Sequence, residues 1–167
     1  MKHSATRYLT PLILTAAFTS APAMADGFDA SDLYVGGGVS ENVVDSPFGG
    51  GSDDAVGYTL FAGYEFDNDY SQVKTSAEIG YSETDEFDDV NDDISGLWLA
   101  GVIEKDLPEI SRNLFAIGRA GLDFGDDDGL LLGAGAGFHL TPKVDVRGEY
   151  LAKNASTVYQ ASLVVNF

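Results

Sequence analysis

Few side chains in this sequence could perform chemistry, and each of them lacks a partner that the chemistry requires. The 167 residues include no cysteine, which excludes a thiol nucleophile and a cysteine-ligated zinc site. Ser156 closes the polar run 153–156, in which no histidine is present to act as its base, so nucleophilic catalysis is not expected. The two histidines are His3 and His139, and His139 lies beside a turn predicted at Thr141-Pro142. We therefore predict no catalytic residue, and we expect His139 to be a rim side chain bonded to water or backbone.

Two acidic runs, residues 85–93 and 126–128, carry carboxylate oxygens of the kind that bind calcium. Neither run has the spacing of an EF-hand loop with its closing glutamate. The net charge is −18, or −20 once Lys2 and Arg7 of the first 25 residues are left out. Such an excess of acid disfavours nucleic acid and is typical of a solvated surface. We predict no metal site, no other cofactor, no nucleic acid partner and only diffuse attraction of cations.

The first 25 residues have the three parts of a secretory signal peptide: the basic residues Lys2 and Arg7, the apolar run 12–18, and the motif Ala23-Met24-Ala25 with small residues at its two ends. This pattern predicts cleavage after Ala25 and a single mature domain over residues 26–167. The apolar run is far shorter than the ~20 residues of a membrane-spanning helix, and no later segment is long enough. Any crossing of a membrane must then use strands, which lipid tolerates when they close into a barrel.

Eight segments of the mature chain alternate between apolar and polar side chains, and their lengths are close to the ~9 to 11 residues that a tilted strand needs to cross a bilayer. The clearest alternation is in residues 73–82. Long polar links follow the first and third segments, and most of the other connections are short. The pattern predicts an all-β fold, an eight-stranded antiparallel up-and-down transmembrane β-barrel, with strands near residues 33–40, 56–66, 73–82, 96–104, 114–124, 130–140, 144–153 and 157–167.

The last segment ends on an aromatic residue and places Tyr159, Leu163, Val165 and Phe167 on one face. Together with the runs at 60–66 and 144–150, it resembles the small OmpA-type outer-membrane β-barrel family. The resemblance implies a monomer in the cell outer membrane, with both mature termini in the periplasm and no peptidoglycan-binding domain. It also implies that these four residues form the signature read by the β-barrel assembly machinery, that periplasmic chaperones are partners, and that the barrel contacts outer-membrane lipid and lipopolysaccharide.

Alternation alone does not separate this family from soluble barrels, because exchanging inside and outside leaves the period unchanged. The aromatic residues favour the membrane barrel over the soluble one. Several of them lie on one face near the ends of the segments, where a membrane barrel carries its aromatic girdles. The opposite face carries charges that we expect to form a polar network inside the barrel. With eight strands the interior is wide enough for side chains alone, so these charges should pair across it and a wide pore is not expected. The predicted network consists of Lys74, Glu78, Arg119, Asp145, Arg147 and Glu149.

These features predict a non-enzymatic outer-membrane barrel with a structural or surface-interaction role. A narrow porin-like channel, a surface adhesin and a lipid A-modifying enzyme remain as alternatives, because small barrels of one shape serve several functions. The deacylase-type pattern His-x-Ser-Asn is missing where the run 153–156 would carry it. The sequence names no ligand or surface partner, and it does not decide whether the interior conducts ions.

Overall fold

The computed structural model describes residues 29–45, 52–85 and 93–167. Eight strands follow one turn of 3-10 helix at Ala30–Asp32: β1 (Leu33–Asp45), β2 (Ser52–Phe66), β3 (Val73–Thr84), β4 (Ser95–Asp106), β5 (Leu114–Asp123), β6 (Gly129–Thr141), β7 (Val144–Ala152) and β8 (Ser156–Asn166). Within the described ranges no helix is long and apolar enough to span a membrane. The predicted signal peptide and most of the acidic run 85–93 lie outside these ranges.

Every strand pairs antiparallel with the next one in sequence, and β1 pairs with β8 from Tyr34↔Asn166 to Val44↔Ser156. This closes the barrel and confirms the predicted eight-stranded up-and-down architecture. The first two strands are longer than predicted, because the β1–β2 ladder continues through Val43↔Asp54. Backbone hydrogen bonds between strands do not depend on side-chain polarity. A hairpin can therefore extend beyond the segment in which apolar and polar residues alternate.

The two ends of the barrel differ in their connections. We call the end with the links 67–72, 107–113 and 142–143 the turn end, where β1 begins and β8 finishes. The opposite end, with the links 46–51, 85–94, 124–128 and 153–155, is the loop end.

The outer face of the barrel is apolar and the inner face is largely polar, which is the reverse of a soluble barrel. Leu60 and Ile79 are 59% and 57% exposed, whereas Glu78, next to Ile79 in the chain, is 1% exposed. Burying charged groups while exposing large aliphatic ones is unfavourable in water and favourable in a bilayer. The two faces therefore match a surrounding of lipid.

Glycines on the inner wall make room for large side chains from neighbouring strands. A Cβ on Gly36 would lie 2.3 Å from the ring of Phe61, and one on Gly137 would lie 2.1 Å from the ring of Phe115. Both distances are far below van der Waals contact. Packing inside a narrow barrel thus accounts for glycines in the runs 36–38 and 133–137.

Candidate functional site

Five charged side chains meet across the lumen and form what we call the central cluster: Glu78, Glu104, Arg119, Arg147 and Glu149. Arg147 on β7 reaches the opposite wall, where its guanidinium nitrogens lie 2.7 Å from Oε1 of Glu78 on β3 and 2.6 Å from Oε1 of Glu104 on β4. Arg119 on β5 lies 2.7 Å from Oε2 of Glu78 and forms a two-pronged pair with Glu149 at 3.0 and 3.1 Å. These side chains are at most 8% exposed. The cluster therefore ties together walls that are four strands apart.

Aromatic rings and a hydroxyl group complete the surroundings of the cluster. The guanidinium of Arg119 lies 5.0 Å from the ring centre of Trp98, and that of Arg147 lies 5.3 Å from the ring of Tyr34. Both distances are within the range of a cation–π contact. The Tyr34 hydroxyl also donates to Glu78 Oε1 at 2.8 Å. Each arginine is thus held by carboxylates at its edge and by a ring at its face, which fixes its position in the lumen.

The cluster contains three carboxylates and two guanidinium groups, so its balance depends on both arginines. Glu104 has Arg147 as the cation in contact with it, whereas Glu78 is within contact distance of both arginines. Removing one member of a buried ion pair leaves an uncompensated charge, which is costly. Within the described ranges, loss of Arg147 therefore leaves the buried Glu104 without a contacting cation, and loss of Arg119 does the same to Glu149.

The remaining two residues of the predicted network lie at the turn end instead of in the cluster. Lys74 is 46% exposed and pairs with Glu65 at 3.0 Å. Asp145 is buried and accepts hydrogen bonds from Asn166 at 3.0 Å and from His139. The six residues predicted from alternation therefore divide into a central group of four and a rim group of two.

His139 contacts two carboxylates, which corrects the expectation of a histidine bonded to water or backbone. Its Nδ1 lies 2.7 Å from Asp145 Oδ1 on β7, and its Nε2 lies 3.3 Å from Asp106 Oδ1 on β4. The ring also stacks on Phe115 of β5 at 4.7 Å between centres. One imidazole on β6 thereby links three other strands at the turn end. Both of its ring nitrogens are occupied by structural partners.

A cavity of about 630 Å³ opens at the turn end beside this histidine. Its charged lining includes Asp32, Glu65, Lys74, Arg112 and Asp145. Tyr64 donates to Asp32 at 3.2 Å, and Glu65, Lys74 and Asp145 have the partners given above. Since most of its charges are already paired, the cavity is the polar mouth of the barrel and does not present an array of free ligand-binding groups.

The acidic run 126–128 at the loop end fastens neighbouring connections together, in contrast to the solvated surface that its composition suggests. Asp127 is 3% exposed and accepts hydrogen bonds from the Ala155 amide at 2.7 Å and the Ser156 hydroxyl at 2.5 Å. Asp126 accepts the amide of Ser95 at 2.9 Å. The β5–β6 connection is therefore fastened both to the β7–β8 turn and to the start of β4.

Ser156 and His139, the residues first considered for catalysis, lie at opposite ends of the barrel. The Ser156 hydroxyl is engaged by Asp127, and the nearby Lys153 pairs with Asp123 at 2.8 Å with both side chains buried. In the part of the chain that the structure describes, no group of three or more histidine, aspartate or glutamate side chains is arranged to hold a metal ion.

The four residues of the predicted assembly signature point away from the lumen. Tyr159, Leu163, Val165 and Phe167 are 43% to 56% exposed, and Tyr159 packs edge-on against Tyr150 of β7. Val164, an apolar residue between two of them, is fully buried on the inner face. The closing strand thus presents a continuous apolar outer surface.

Sequence reasoning missed Glu104 and Tyr34 as members of the polar interior. Glu104 was placed at the end of its predicted strand, but it shares the inward face of β4 with Trp98, Ala100 and Val102. That spacing of two was the available signal. The contact between Tyr34 and Glu78 joins β1 to β3, and no local pattern indicates it.

Comparison with known proteins agrees with this architecture. A family model described as an outer membrane protein β-barrel domain matches residues 11–167. Among solved structures, Neisserial surface protein A is 17% identical with a TM-score of 0.56, over 81% of this chain and 97% of that one. The attachment invasion locus protein Ail of Yersinia pestis is 18% identical with a TM-score of 0.51, over 80% and 95%. De novo designed transmembrane β-barrels match at 16% identity and a TM-score of 0.54, over 81% and 96%. At these identities the likeness concerns the fold, and no curated protein matches the chain.

Proposed function

The chain belongs to the outer membrane protein β-barrel domain family, and on that premise we propose that it is a monomeric, non-enzymatic barrel of the cell outer membrane with a closed lumen and a structural or surface-interaction role. The central cluster is the observation that carries this proposal. Its ion pairs run from β7 to β3 and β4 and from β5 to β3, directly across the path that a solute would take. A buried network of this kind is rigid when its members are satisfied.

The proposed orientation places the turn end in the periplasm and the loop end outside the cell. Outer-membrane barrels have short periplasmic turns and longer external loops, and an even number of strands puts both ends of the chain on one side. Export through a signal peptide at residues 1–25 is part of this proposal. The partners would be outer-membrane lipid, lipopolysaccharide, periplasmic chaperones and the β-barrel assembly machinery.

An activity on lipid A finds no support in the loop-end geometry. A serine nucleophile needs a base within hydrogen-bond reach and a group that orients the base. Ser156 donates to a carboxylate that also holds a backbone amide, an arrangement that fastens a turn. These contacts favour a structural role for the residues at 153–156.

Planar-bilayer recording of the purified, refolded protein tests the closed lumen. We expect no discrete conductance from the wild type, because the cluster blocks the path. The variant Arg119→Ala/Arg147→Ala removes both cations from the cluster, whereas Lys74→Ala removes one at the exposed rim and serves as the control. Steady single-channel conductance of the wild type would establish the narrow-channel alternative.

Cell fractionation with heat-modifiable gel mobility tests the membrane location independently, because a folded membrane barrel migrates differently after boiling.

A further inference from the structure

A second, smaller cavity lies between the central cluster and the loop end. Its volume is about 20 Å³, and its polar lining includes Ser40, Asn42, Arg119, Lys153 and Gln160, with Trp98 beside them. A polar cavity of this size has room for a water molecule.

One side chain lining this cavity has an unmade hydrogen bond. Gln160 projects inward from β8 and is 8% exposed, yet its Nε2 has no hydrogen-bond partner among the described residues. Buried donors without a partner are rare in folded proteins, because the lost hydration is not replaced. Something that accepts a hydrogen bond is needed at this place.

The other polar groups around the cavity can bind the same molecule if it also donates hydrogen bonds. The Asn42 amide nitrogen donates to the Ser40 hydroxyl oxygen at 3.0 Å and to the Ala55 carbonyl at 3.3 Å. These two bonds use both hydrogens of that amide, which leaves the Asn42 carbonyl oxygen and the Ser40 hydroxyl of two lining residues as potential partners. A buried water typically makes about three hydrogen bonds, and the lining groups supply that number.

Charge separates water from a small anion as the occupant. Arg119 and Lys153 line the cavity, but Arg119 is paired with Glu78 and Glu149, and Lys153 is paired with Asp123. The carboxylates that surround these cations leave no surplus of positive charge for a halide. A neutral molecule that both accepts and donates fits the site better.

We propose that this cavity is a specific site for one ordered water molecule, which accepts a hydrogen bond from Gln160 Nε2 and donates to the Ser40 and Asn42 oxygens. The water lies between the layer of the central cluster and the Lys153–Asp123 pair nearer the loop end. The interior of the barrel is then hydrated at this small site without a continuous path through it.

A crystal structure of the wild-type protein at a resolution that shows waters, grown with and without bromide, tests the site directly. We expect a density peak within hydrogen-bond distance of Gln160 Nε2 and no anomalous bromine signal there. A bromine peak at this position would show that the site binds a halide instead of water. Either that result or a cavity without density would overturn the proposal.

Thermal unfolding in detergent supplies a second, independent readout. Gln160→Met keeps the length of the side chain but has no donor, and Gln72→Met makes the same change at an exposed turn-end position. If the water is bound, Gln160→Met weakens its binding and leaves the Ser40 and Asn42 oxygens without that hydrogen-bond partner. Tm should then fall by about 2 to 4 °C relative to Gln72→Met. A dry cavity predicts the opposite sign, because the substitution would then remove an unsatisfied donor.

Discussion

Replacing Arg147 by methionine should destabilise the barrel far more than the loss of a positive charge at the exposed rim. Methionine keeps a long side chain against the ring of Tyr34 but makes no ion pair. The substitution removes contacts of 2.7 Å to Glu78 and 2.6 Å to Glu104, and the Arg147 side chain is 3% exposed. Glu78 keeps Arg119 and the Tyr34 hydroxyl, so Glu104 is the group left with an uncompensated charge.

The expected cost is about 3 to 5 kcal/mol of unfolding free energy, the range measured when one partner of a buried pair is removed. No reduction for solvent screening applies, because both sides of the pair are buried. Lys74→Met is the matched control: its pair with Glu65 is half exposed, so its loss should cost about 1 kcal/mol or less.

Urea unfolding in detergent, followed through the fluorescence of the single tryptophan, measures both values, because Trp98 is buried beside Arg119 and becomes exposed on unfolding. Adding Glu104→Gln to Arg147→Met removes the uncompensated charge and should restore part of the lost stability. Such a rescue gives the coupling of the pair through a double-mutant cycle. Equal stability of Arg147→Met and Lys74→Met, together with conductance by the wild type, would show that the lumen is wet and that the cluster does not close it.

Three further expectations concern the ends of the barrel. Deleting Phe167 should lower the amount of protein assembled in the outer membrane, measured by the heat-modifiable fraction; normal levels would contradict its role in the assembly signature. Asp127→Ala should cost about 1.5 to 3 kcal/mol because two bonds to a buried carboxylate are lost, whereas the exposed Asp128→Ala should change stability by about 0.5 kcal/mol or less in the same unfolding assay. Sodium and calcium salts at matched ionic strength should raise Tm about equally, because the exposed loop-end acids act as a screened surface charge; a large effect of calcium alone, abolished by Asp→Asn changes at residues 88, 89 and 92, would indicate a specific metal site.

The architecture could be predicted from the sequence because the features that specify a barrel wall are local in the chain. Alternation with a period of two assigns each residue to a face, and short connections make consecutive strands neighbours. Phe115, Ile117 and Arg119 follow one another at a spacing of two, and all three are buried on the inner face of β5. The loop-end parts of β1 and β2 were not predicted. Side chains alternate where one face of a strand contacts lipid and the other faces the lumen, and this difference is lost where a strand extends beyond the lipid.

The partners inside the lumen could not be read in the same way. Glu78 and Arg147 are 69 residues apart and meet because the barrel brings opposite walls within reach of long side chains. The contact of His139 with Asp145 needs the β6–β7 register, in which the two residues face each other, and Asp106 comes from β4. For Asp127, composition suggested a solvated surface, but its hydrogen bonds to the β7–β8 turn determine its role.

Positive charges are unevenly distributed along the barrel, and this distribution affects both its interior and its outer surface. Of the seven basic residues after position 25, Arg119, Arg147 and Lys153 are buried as partners of carboxylates, and the other four, Lys74, Lys105, Arg112 and Lys143, lie at or near the turn end. In the described ranges the exposed charges of the loop end are therefore acids, among them Glu41, Asp54, Glu83, Asp85 and Asp93. In the proposed orientation these acids face the phosphates of lipopolysaccharide without basic side chains to bind them. Attachment to the membrane must then come from the apolar outer wall, while the buried cations stabilise the fold and are not available at the surface.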